Sequence, residues 1–492
     1  MAKIETFASL DPATGIEVGR YPNTSISEVF KIVADAKSAA KSWETLGFAK
    51  RKKILLKWAA LLTREIDVGA LLIKSETGKP IGDARLELTL AISQIAWAAK
   101  SAGRILATQS RPAGILMFNM SAKVERSPYG VVGVIGPWNY PAFTPMGSIA
   151  YALAAGNTVV FKPSEYTPGV GTWLSKTFDK VAPFAAIFAT VTGLPETGKA
   201  LTESAVDKIS FTGSTKTAKI VGQSCAARMI PVVLECGGKD AVLVDRDADL
   251  ALAAENTLWS AMSNAGQSCI GAERVYVHSE VANKFIEIIT TMAKQLKTGV
   301  TEGDSYGPAT RPAQLKVISA HIKDAADQGA TFILGSPNSV HERYVDPVII
   351  CDVPENSTAV TDETFGPTLV INRVENMSVA IQLANATRYG LGASVWSKRS
   401  GEKIASQLQC GMVSINSVFL FAAIASVPFG GIKDSGIGRI HGAEGLLEFA
   451  YARTIVRPIF KIPIAFTTFK RSNFADKFII KLVKVLYGRK KI

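Results

Sequence analysis

The 492-residue sequence contains only five cysteines and four histidines, and it lacks long apolar runs. The cysteines stand at scattered positions (225, 236, 269, 351 and 410), and none of them forms a CxxC pair. This spacing argues against a disulfide framework and a zinc site, so we expect no metal and a reducing, cytoplasmic environment. No apolar run reaches the ~18–20 residues that span a bilayer, and the N-terminus lacks the charged-then-apolar layout of a secretory signal.

Positive charge is concentrated at one end of the chain. The net charge is +13, but residues 461–492 hold nine Lys or Arg and one acid, a charge of +8 that leaves +5 for the other 460 residues. Because the body is nearly neutral and no basic stripe crosses its motifs, we expect no nucleic-acid partner.

The pattern of apolar residues changes near Tyr129. Before it, amphipathic stretches predict helices, the first opened by a capping box at Ser25 and the others near 49–66 and 83–101. After it, short β-rich runs predict strands at 130–135, 158–161, 186–192, 208–211, 231–234, 241–244 and 274–278, with helical segments between them. Such alternation predicts an α/β fold with parallel sheets, in two domains that meet at a ligand-binding cleft.

Two residues with catalytic potential, Glu235 and Cys269, lie 34 positions apart in glycine-containing frames. A thiolate can attack a carbonyl carbon, and a nearby carboxylate can activate the water that releases the acyl group. We expect surroundings that favour the thiolate of Cys269 and desolvation that raises the pKa of Glu235. A buried, inert cysteine and a salt-bridged glutamate are the alternatives.

Other polar motifs follow predicted strands. Asn139, held between two prolines, is a stiff amide donor suited to an oxyanion, although a turn asparagine would look the same. Lys162 and Glu165 could hold the hydroxyls of an adenosine ribose. Residues 211–215 open a helix whose first amides suit a pyrophosphate. The sequence has no GxGxxG dinucleotide fingerprint.

Together these motifs resemble those of the aldehyde dehydrogenase superfamily over about residues 10–455. The matching elements, in the family's order, are Pro137-Trp138-Asn139, Lys162-Pro163-Ser164-Glu165, Phe211-Thr212-Gly213-Ser214-Thr215, Glu235 with Gly237-Gly238-Lys239, Gly266-Gln267-Ser268-Cys269, Glu363-Thr364-Phe365-Gly366-Pro367, Pro428-Phe429-Gly430-Gly431 and Ser435-Gly436-Ile437-Gly438-Arg439.

The resemblance implies hydrolytic oxidation of an aldehyde through a thiohemiacetal and a thioester. Cys269 would be the nucleophile, Asn139 and the Cys269 amide would stabilise the oxyanion, and Glu235 would activate water. Cofactor contacts would come from Ile135, Pro137, Trp138, Lys162, Ser164, Glu165, Gly193, Gly198, Phe211, Gly213, Ser214, Cys236, Gly237, Glu363 and Phe365. Because the carboxylate of Glu165 should repel a 2′-phosphate, we expect NAD, with NADP as the alternative.

The resemblance also implies the domain organisation. A Rossmann-like NAD-binding domain would cover residues 1–106 and 128–236, and an α/β catalytic domain would cover 237–433. A small β element from 107–127 and 450–460 would build a homodimer or homotetramer.

Four positions depart from the family's pattern. Cys236 stands where leucine or methionine is common, Asp240 replaces asparagine or serine, and Ala218 replaces a glycine. Ile440 replaces a glutamate thought to relay protons in many relatives, so water activation would depend more heavily on Glu235.

Two apolar features favour an apolar substrate. The segment 417–427, which lines the substrate entrance in the family, is almost wholly apolar and has no arginine to bind a second carboxylate. Residues 476–487 combine a lysine stripe at 477, 481 and 484 with a broad apolar surface, a pattern typical of helices at a membrane interface. We expect a long-chain, terpenoid or aromatic aldehyde, and peripheral contact of residues 461–492 with the inner face of the membrane. The alternative is a tail packed on the protein.

Three rival functions stay open. A CoA-acylating enzyme would release the acyl group to CoA rather than to water, which the presence of Glu235 disfavours. A semialdehyde dehydrogenase would need a cation at the entrance. A non-catalytic structural or binding relative would be expected to lack Cys269 or Glu235.

Overall fold

The computed structural model describes residues 5–462 and 468–488, and these divide into two compact units. The first unit comprises Met1–Leu106 and Ser127–Tyr451, and the second comprises Ala107–Arg126 and Ala452–Ile492. Each unit is described by itself.

The secondary structure up to residue 262 consists of β1 (Thr6–Leu10), β2 (Glu17–Pro22), α1 (Ile26–Thr45), α2 (Gly47–Arg64), α3 (Ile66–Thr77), α4 (Ile81–Ile105), β3 (Gln109–Arg111), β4 (Met120–Pro128), β5 (Val131–Ile135), α5 (Phe143–Ala155), β6 (Thr158–Lys162), α6 (Pro168–Asp179), β7 (Phe188–Thr190), α7 (Pro195–Glu203), β8 (Lys208–Thr212), α8 (Thr215–Ala227), β9 (Val232–Glu235), β10 (Asp240–Val244) and α9 (Leu250–Met262).

The remaining elements are β11 (Ala272–His278), α10 (Ser279–Ala293), α11 (Pro312–Asp327), β12 (Thr331–Leu334), β13 (Val348–Cys351), α12 (Thr358–Thr361), β14 (Thr368–Val374), α13 (Met377–Asn385), β15 (Gly392–Trp396), α14 (Gly401–Ala405), β16 (Met412–Ile415), α15 (Leu420–Ala423), β17 (Gly436–Ile437), α16 (Gly442–Glu448), β18 (Ala450–Pro458) and α17 (Asn473–Tyr487).

The first helix begins where its capping signal predicts, but a hairpin precedes it that was not predicted. Ser25 and Glu28 form the predicted capping box of α1. The expectation that the first ~100 residues are all helical is wrong, because β1 and β2 pair as antiparallel strands. Most side chains of this hairpin are partly or fully exposed, so no alternation of buried and polar residues marks it in the sequence.

A six-stranded sheet in the first unit has the order β17-β9-β8-β5-β6-β7. All its neighbouring pairs are parallel except β17 with β9. The chain proceeds outward from β5 in both directions, so β5 and β8 border a topological switch point, where ligands bind at the carboxyl ends of such strands. Alternate β5 side chains enter two cores, with Val131 beside α1, α7 and α8 and Val132 beside α5 and α6.

A seven-stranded sheet, also in the first unit, has the order β12-β13-β14-β11-β10-β15-β16. Only β12 runs antiparallel to its neighbour. Strands β10 and β11 are buried along their whole length, which is the burial expected of central strands covered by helices on both faces. The predicted α/β class with parallel sheets is confirmed.

The second unit holds a small sheet and a helix. Strands β18, β4 and β3 are neighbours in that order, and they lie in the ranges that the resemblance assigns to a small β element. Helix α17 begins at Asn473, three residues before the predicted start, because Ser472 caps it. Among the described residues, no helix combines the length and the apolar character that a membrane span requires. The tail residues 463–467 and 489–492, including Arg489, Lys490 and Lys491, lie outside the described residues.

Candidate active site

Cys269 lies in a tight loop between α9 and β11. A 3-10 turn over Ser263–Gly266 precedes it, and Asn264 and Ala265 adopt left-handed backbone angles there. Gly266 also has a positive φ of 66°, and a Cβ at this position would overlap the carbonyl of Gly366. The loop therefore needs glycine at 266, and it presents a partly exposed Cys269 side chain.

Asn139 is tied to this loop by two hydrogen bonds. Its side-chain amide donates to the carbonyl of Gln267 (2.9 Å), and its own carbonyl accepts from the side-chain amide of Asn264 (3.1 Å). Gln267 is itself held, since its Oε1 accepts from the amide of Thr310 (2.9 Å). A primary amide has two N–H groups, so the second N–H of Asn139 is free of the Gln267 contact.

Glu235 ends β9 and is buried, and neither carboxylate oxygen has a hydrogen-bond partner among the described residues. Burial raises its pKa well above the ordinary value, while Arg439 opposes that rise. The predicted direction of this pKa shift is confirmed. The side chain of Arg439 donates to the carbonyls of Gly431 and Gly438, so its guanidinium is held by the backbone rather than by the carboxylate.

The expected activation of the Cys269 thiol by its protein surroundings is wrong. Burial is the largest influence on this pKa and raises it, and the carboxyl groups of Glu363, Asp240 and Glu235 raise it further. Nearby negative charge disfavours a thiolate. The protein groups around Cys269 therefore hold the thiol protonated, with three carboxyl groups near enough to affect its titration.

Residues predicted to hold an adenosine ribose lie together at the carboxyl end of β6. The ammonium of Lys162 is 3.4 Å from the carboxylate of Glu165, and Ser164 Oγ accepts from the amide of Tyr166. Burial lowers the pKa of Lys162, and Glu165 opposes this. A Cβ at Gly198 would meet only the Lys162 side chain, at 3.9 Å, so there is open space above this lysine. Gly193 instead packs against Thr197, where a Cβ would overlap.

The neighbouring strands bring further predicted residues to the same sheet edge. Ile135 ends β5, and Phe211, Gly213 and Ser214 lie at the junction of β8 and α8. Ser214 caps α8 by accepting from the amide of Thr217 (3.3 Å), which leaves the helix N-terminus aimed at this edge. Phe211 and Cys236 are buried in the apolar core beside α8, and burial raises the pKa of Cys236 to about 12.

The predicted nicotinamide residues form a second group. The rings of Trp138 and Phe365 meet edge to face with centroids 5.5 Å apart. Glu363 accepts from the amide of Gly238 (3.2 Å), and a Cβ at Gly237 would overlap its carboxylate. Burial raises the pKa of Glu363 to about 8. Three features lie along this sheet edge: the open space above Lys162, the N-terminus of α8 and the carboxylate of Glu363, which lies against glycines. Together they fit a bound dinucleotide.

Sequence reasoning missed two buried ion pairs around the site. Lys239 pairs with Glu273, whose carboxylate also accepts from the amides of Thr364 and Phe365. Lys79 pairs with Glu87 and donates to the carbonyl of Asn139. No local signal in the sequence marks these residues, because each partner lies on a different segment of the chain.

The surroundings of Cys269 are otherwise apolar. The thiol packs against a cluster that includes Phe143, Phe419, Phe421, Phe429 and Ile440. His441 lies behind this cluster, buried against the rings of Phe143 and Phe429. Neither of its nitrogens has a partner among the described residues, and burial lowers its pKa to about 3, so the imidazole is neutral.

The outer part of the cluster faces solvent. Segment 417–427 contains the short helix α15. Leu420 is 53% exposed and Ile424 is 46% exposed, and Trp259, which contacts Phe419 edge to face, is 47% exposed. Large apolar side chains thus stand in solvent beside the segment that the resemblance assigns to the substrate entrance.

Comparison with known proteins gives one family. A family model described as "Aldehyde dehydrogenase family" matches residues 1–455. The 4,4'-diapolycopene aldehyde oxidase of Methylomonas sp is 36% identical over 91% of this chain and 84% of that protein. A putative NADP(+) succinate-semialdehyde dehydrogenase of Mycolicibacterium smegmatis is 34% identical over 90% of this chain and 87% of that protein.

Solved structures agree in fold. The crystal structure of an NAD-dependent aldehyde dehydrogenase from Sinorhizobium meliloti superposes with a TM-score of 0.90 at 30% identity, over 94% of this chain and 93% of that chain. The chain therefore belongs to the aldehyde dehydrogenase family, whose enzymes oxidise aldehydes with NAD or NADP.

Proposed function

We propose that this enzyme oxidises an apolar aldehyde, of the long-chain, terpenoid or aromatic class, to its carboxylic acid through a thioester on Cys269. The observation that carries the proposal is the apolar cluster around the thiol, continued outward by exposed Leu420, Ile424 and Trp259. Burying an apolar chain there contributes about 0.8 kcal/mol per methylene group, whereas a charged substrate would find no cation in 417–427.

Cys269 attacks the aldehyde carbon, and Asn139 stabilises the oxygen. Because Gln267 fixes one N–H of the Asn139 amide, the other can donate to the developing oxyanion together with the backbone amide of Cys269. The thiol must lose its proton first. Among the carboxyl groups that interact with the thiol, Glu363 has the largest influence and is the available acceptor within the chain.

The cofactor residues would hold the dinucleotide along the sheet edge, with Lys162 and Glu165 at the adenosine ribose and Glu363, Trp138 and Phe365 at the nicotinamide end. When bound, NAD(P) supplies a hydride acceptor and a positive charge near the thiol. The carboxylate of Glu165 disfavours a 2′-phosphate, so NAD is the preferred cofactor.

Glu235 then activates the water that hydrolyses the thioester. Its oxygens are unpaired among the described residues, and its raised pKa makes it a stronger base than an exposed carboxylate. With Ile440 in place of a second glutamate, the described site offers no other carboxyl group at that position. The presence of Glu235 as a base favours water over CoA as the acceptor of the acyl group.

The named relatives support two substrate classes. The Methylomonas protein is named for an aldehyde of diapolycopene, which favours an apolar substrate. The Mycolicibacterium protein is named for a semialdehyde and is similar at nearly the same identity. The absence of any cation in 417–427 supports the apolar class for this chain.

The test is NADH formation with the full-length protein and aldehydes of increasing chain length, a terpenoid aldehyde and succinate semialdehyde. We expect kcat/KM to rise with chain length, up to roughly 4-fold per added methylene if each contributes about 0.8 kcal/mol. A preference for succinate semialdehyde would exclude the apolar class, and a rate that requires CoA would exclude hydrolysis.

We further propose that residues 461–492 bring the enzyme to an anionic membrane surface on the cytoplasmic side. In α17, Lys477, Lys481 and Lys484 are exposed on one stripe, while Phe474, Phe478, Ile480, Val483 and Val485 expose apolar side chains. An apolar helix surface combined with lysines suits the boundary between acyl chains and anionic headgroups. An apolar aldehyde dissolved in the same membrane would reach the enzyme there.

Cosedimentation with vesicles tests this proposal. We expect the full chain to sediment with vesicles rich in anionic lipid and less with neutral vesicles, and we expect removal of 461–492 to abolish sedimentation. If the full chain stays in the supernatant while the truncated chain changes its oligomer size, the helix instead packs between subunits.

The sheet of β3, β4 and β18 is the proposed contact of a homodimer or homotetramer. Strand β18 is exposed from Tyr451 to Pro458, and an exposed strand with apolar side chains such as Ile455 and Val456 favours pairing with another chain. Light scattering of the intact protein would separate a dimer from a tetramer.

A further inference from the structure

Lys79 is a buried cation attached to the residue proposed to stabilise the oxyanion. Its ammonium donates to the carbonyl of Asn139 (2.7 Å) and to the carboxylate of Glu87 (2.7 Å), and neither side chain of the ion pair is exposed. The ammonium also lies 4.1 Å from the centre of the Tyr140 ring. All these groups belong to the first unit.

Glu87 holds the other end of the same segment. Its second oxygen accepts from the amides of Ala142 (2.8 Å) and Phe143 (3.2 Å), where α5 begins. A carboxylate at a helix N-terminus is stabilised by the unpaired amides there. The ion pair therefore holds segment 139–143 at both ends. Lys79, in the turn before α4, bonds its first residue, and Glu87, in α4, bonds its last two.

These contacts complete the fixation of Asn139. Its carbonyl accepts from both Lys79 and Asn264, which occupies both lone pairs, and its side chain donates to Gln267. The direction of the remaining side-chain N–H is then determined by the backbone of residue 139. A buried ion pair is weak as a source of stability, because the desolvation of two charges offsets their attraction.

We propose that Lys79 and Glu87 are positioning residues that aim the free N–H of Asn139 at the oxyanion. This inference rests on the proposed function, since it assumes that Asn139 meets a substrate oxygen. Misplacement of a catalytic group by about 1 Å costs on the order of 100-fold in rate. Loss of the pair should therefore lower the rate of acylation of Cys269 without weakening NAD binding.

The test is a double-mutant cycle between Lys79→Met and Asn139→Ala. Two rates are measured on the full chain: NADH formation from a long-chain aldehyde, and release of p-nitrophenol from p-nitrophenyl acetate. The ester reaction needs a thiol and an oxyanion donor, but it needs neither hydride transfer nor a particular aldehyde. Binding of NAD, followed by fluorescence, reports the folded state.

We expect Lys79→Met to lower both rates roughly 10- to 100-fold in the parent and less than 2-fold in the Asn139→Ala background, with the Kd for NAD changed less than 2-fold. The same loss in both backgrounds, or no loss in the parent, would overturn the inference. If Lys79→Met does not bind NAD, the double variant Lys79→Met/Glu87→Gln replaces it. This variant removes both charges, while the glutamine side-chain oxygen can still accept from the amide of Ala142. The rate losses of this variant in the parent and in the Asn139→Ala background then test the inference in the same way.

The two readouts separate this inference from the proposed function. A parent enzyme that hydrolyses the ester but forms no NADH from any aldehyde would contradict the proposed function. In that case the ester reaction would still show whether the effects of Lys79→Met and Asn139→Ala depend on each other, and this result tests the positioning role.

Discussion

The active site and the C-terminal helix depart from the usual distribution of polar and apolar groups in opposite directions. In the active site, Glu235 is buried with no hydrogen-bond partner among the described residues. In α17, apolar side chains such as Phe474 and Val485 stand in solvent. Each arrangement is unfavourable for a folded monomer alone. In the proposed function each would become favourable on binding, of a water and an acyl group in the first case and of an apolar surface in the second.

The two ion pairs near the site show that burial alone does not make a carboxyl group available as a base. Lys79 with Glu87 and Lys239 with Glu273 are also buried, yet their charges are neutralised and their remaining atoms bond backbone groups. Of these carboxylates, only the unpaired Glu235 is free to take a proton from water. The contrast predicts different consequences for changes in each region.

The largest effect should follow removal of the nucleophile. We expect Cys269→Ala to lower NADH formation by at least about 10⁴-fold, because no thioester can form. Binding of NAD should be unchanged. Cys410→Ala, which removes another partly exposed thiol, is the matched control and should keep full activity.

Replacement of the unpaired carboxylate should separate acylation from hydrolysis. We expect Glu235→Gln to lower steady-state turnover on the order of 10²–10³-fold while a stopped-flow burst of NADH, about one per active site, persists. A base acts when deprotonated, so parent turnover should rise with pH until it passes the raised pKa of Glu235. The variant should lack that rise. A variant with normal turnover would assign water activation elsewhere.

Removal of positive charge from α17 should weaken vesicle binding without changing the rate of aldehyde oxidation. Lys477, Lys481 and Lys484 each contribute about 1 kcal/mol to binding an anionic surface. Their joint replacement by Gln should weaken vesicle binding roughly 100-fold and leave turnover of a water-soluble aldehyde within 2-fold. The control replaces exposed Lys52, Lys53 and Lys57 of α2, with the same change of charge and no expected effect on vesicles. Equal loss in both variants would indicate a nonspecific charge effect.

The smallest effect concerns cofactor choice. Glu165→Gln removes the charge that faces a 2′-phosphate, so we expect kcat/KM for NADP to rise about 10-fold relative to NAD. Glu203→Gln, an exposed change on α7, is the control. If the ratio stays constant, a residue other than Glu165 sets the preference.

Parts of the molecule were predictable because they repeat a local pattern. The buried strands β5 and β6 contain short apolar runs, and α1 carries its capping box, so these elements appear in the sequence. The hairpin of β1 and β2 has no such pattern. The family motifs bring Asn139 next to the Cys269 loop and Trp138 next to Phe365, and the structure shows these contacts.

Long-range pairing could not be predicted. Glu87 and Phe143 are 56 residues apart, and Glu363 and Gly238 are 125 apart, so their contacts exist only once the sheets are assembled. The effect of Glu363, Asp240 and Glu235 on the pKa of the Cys269 thiol was not predicted for the same reason, so activation of the thiol was expected instead. The local sequence of the Cys269 loop predicts a loop, but it does not predict the charged groups that other segments place around it.

The central claim is that Cys269 carries an acyl group that Glu235 helps to hydrolyse. Its most direct test is mass spectrometry of Glu235→Gln after mixing with NAD and a long-chain aldehyde, followed by rapid acid quench. The account predicts a peptide containing Cys269 whose mass has increased by the acyl group of that aldehyde, with no such adduct in Cys269→Ala. Burst formation of NADH without an acyl adduct on Cys269 would contradict it.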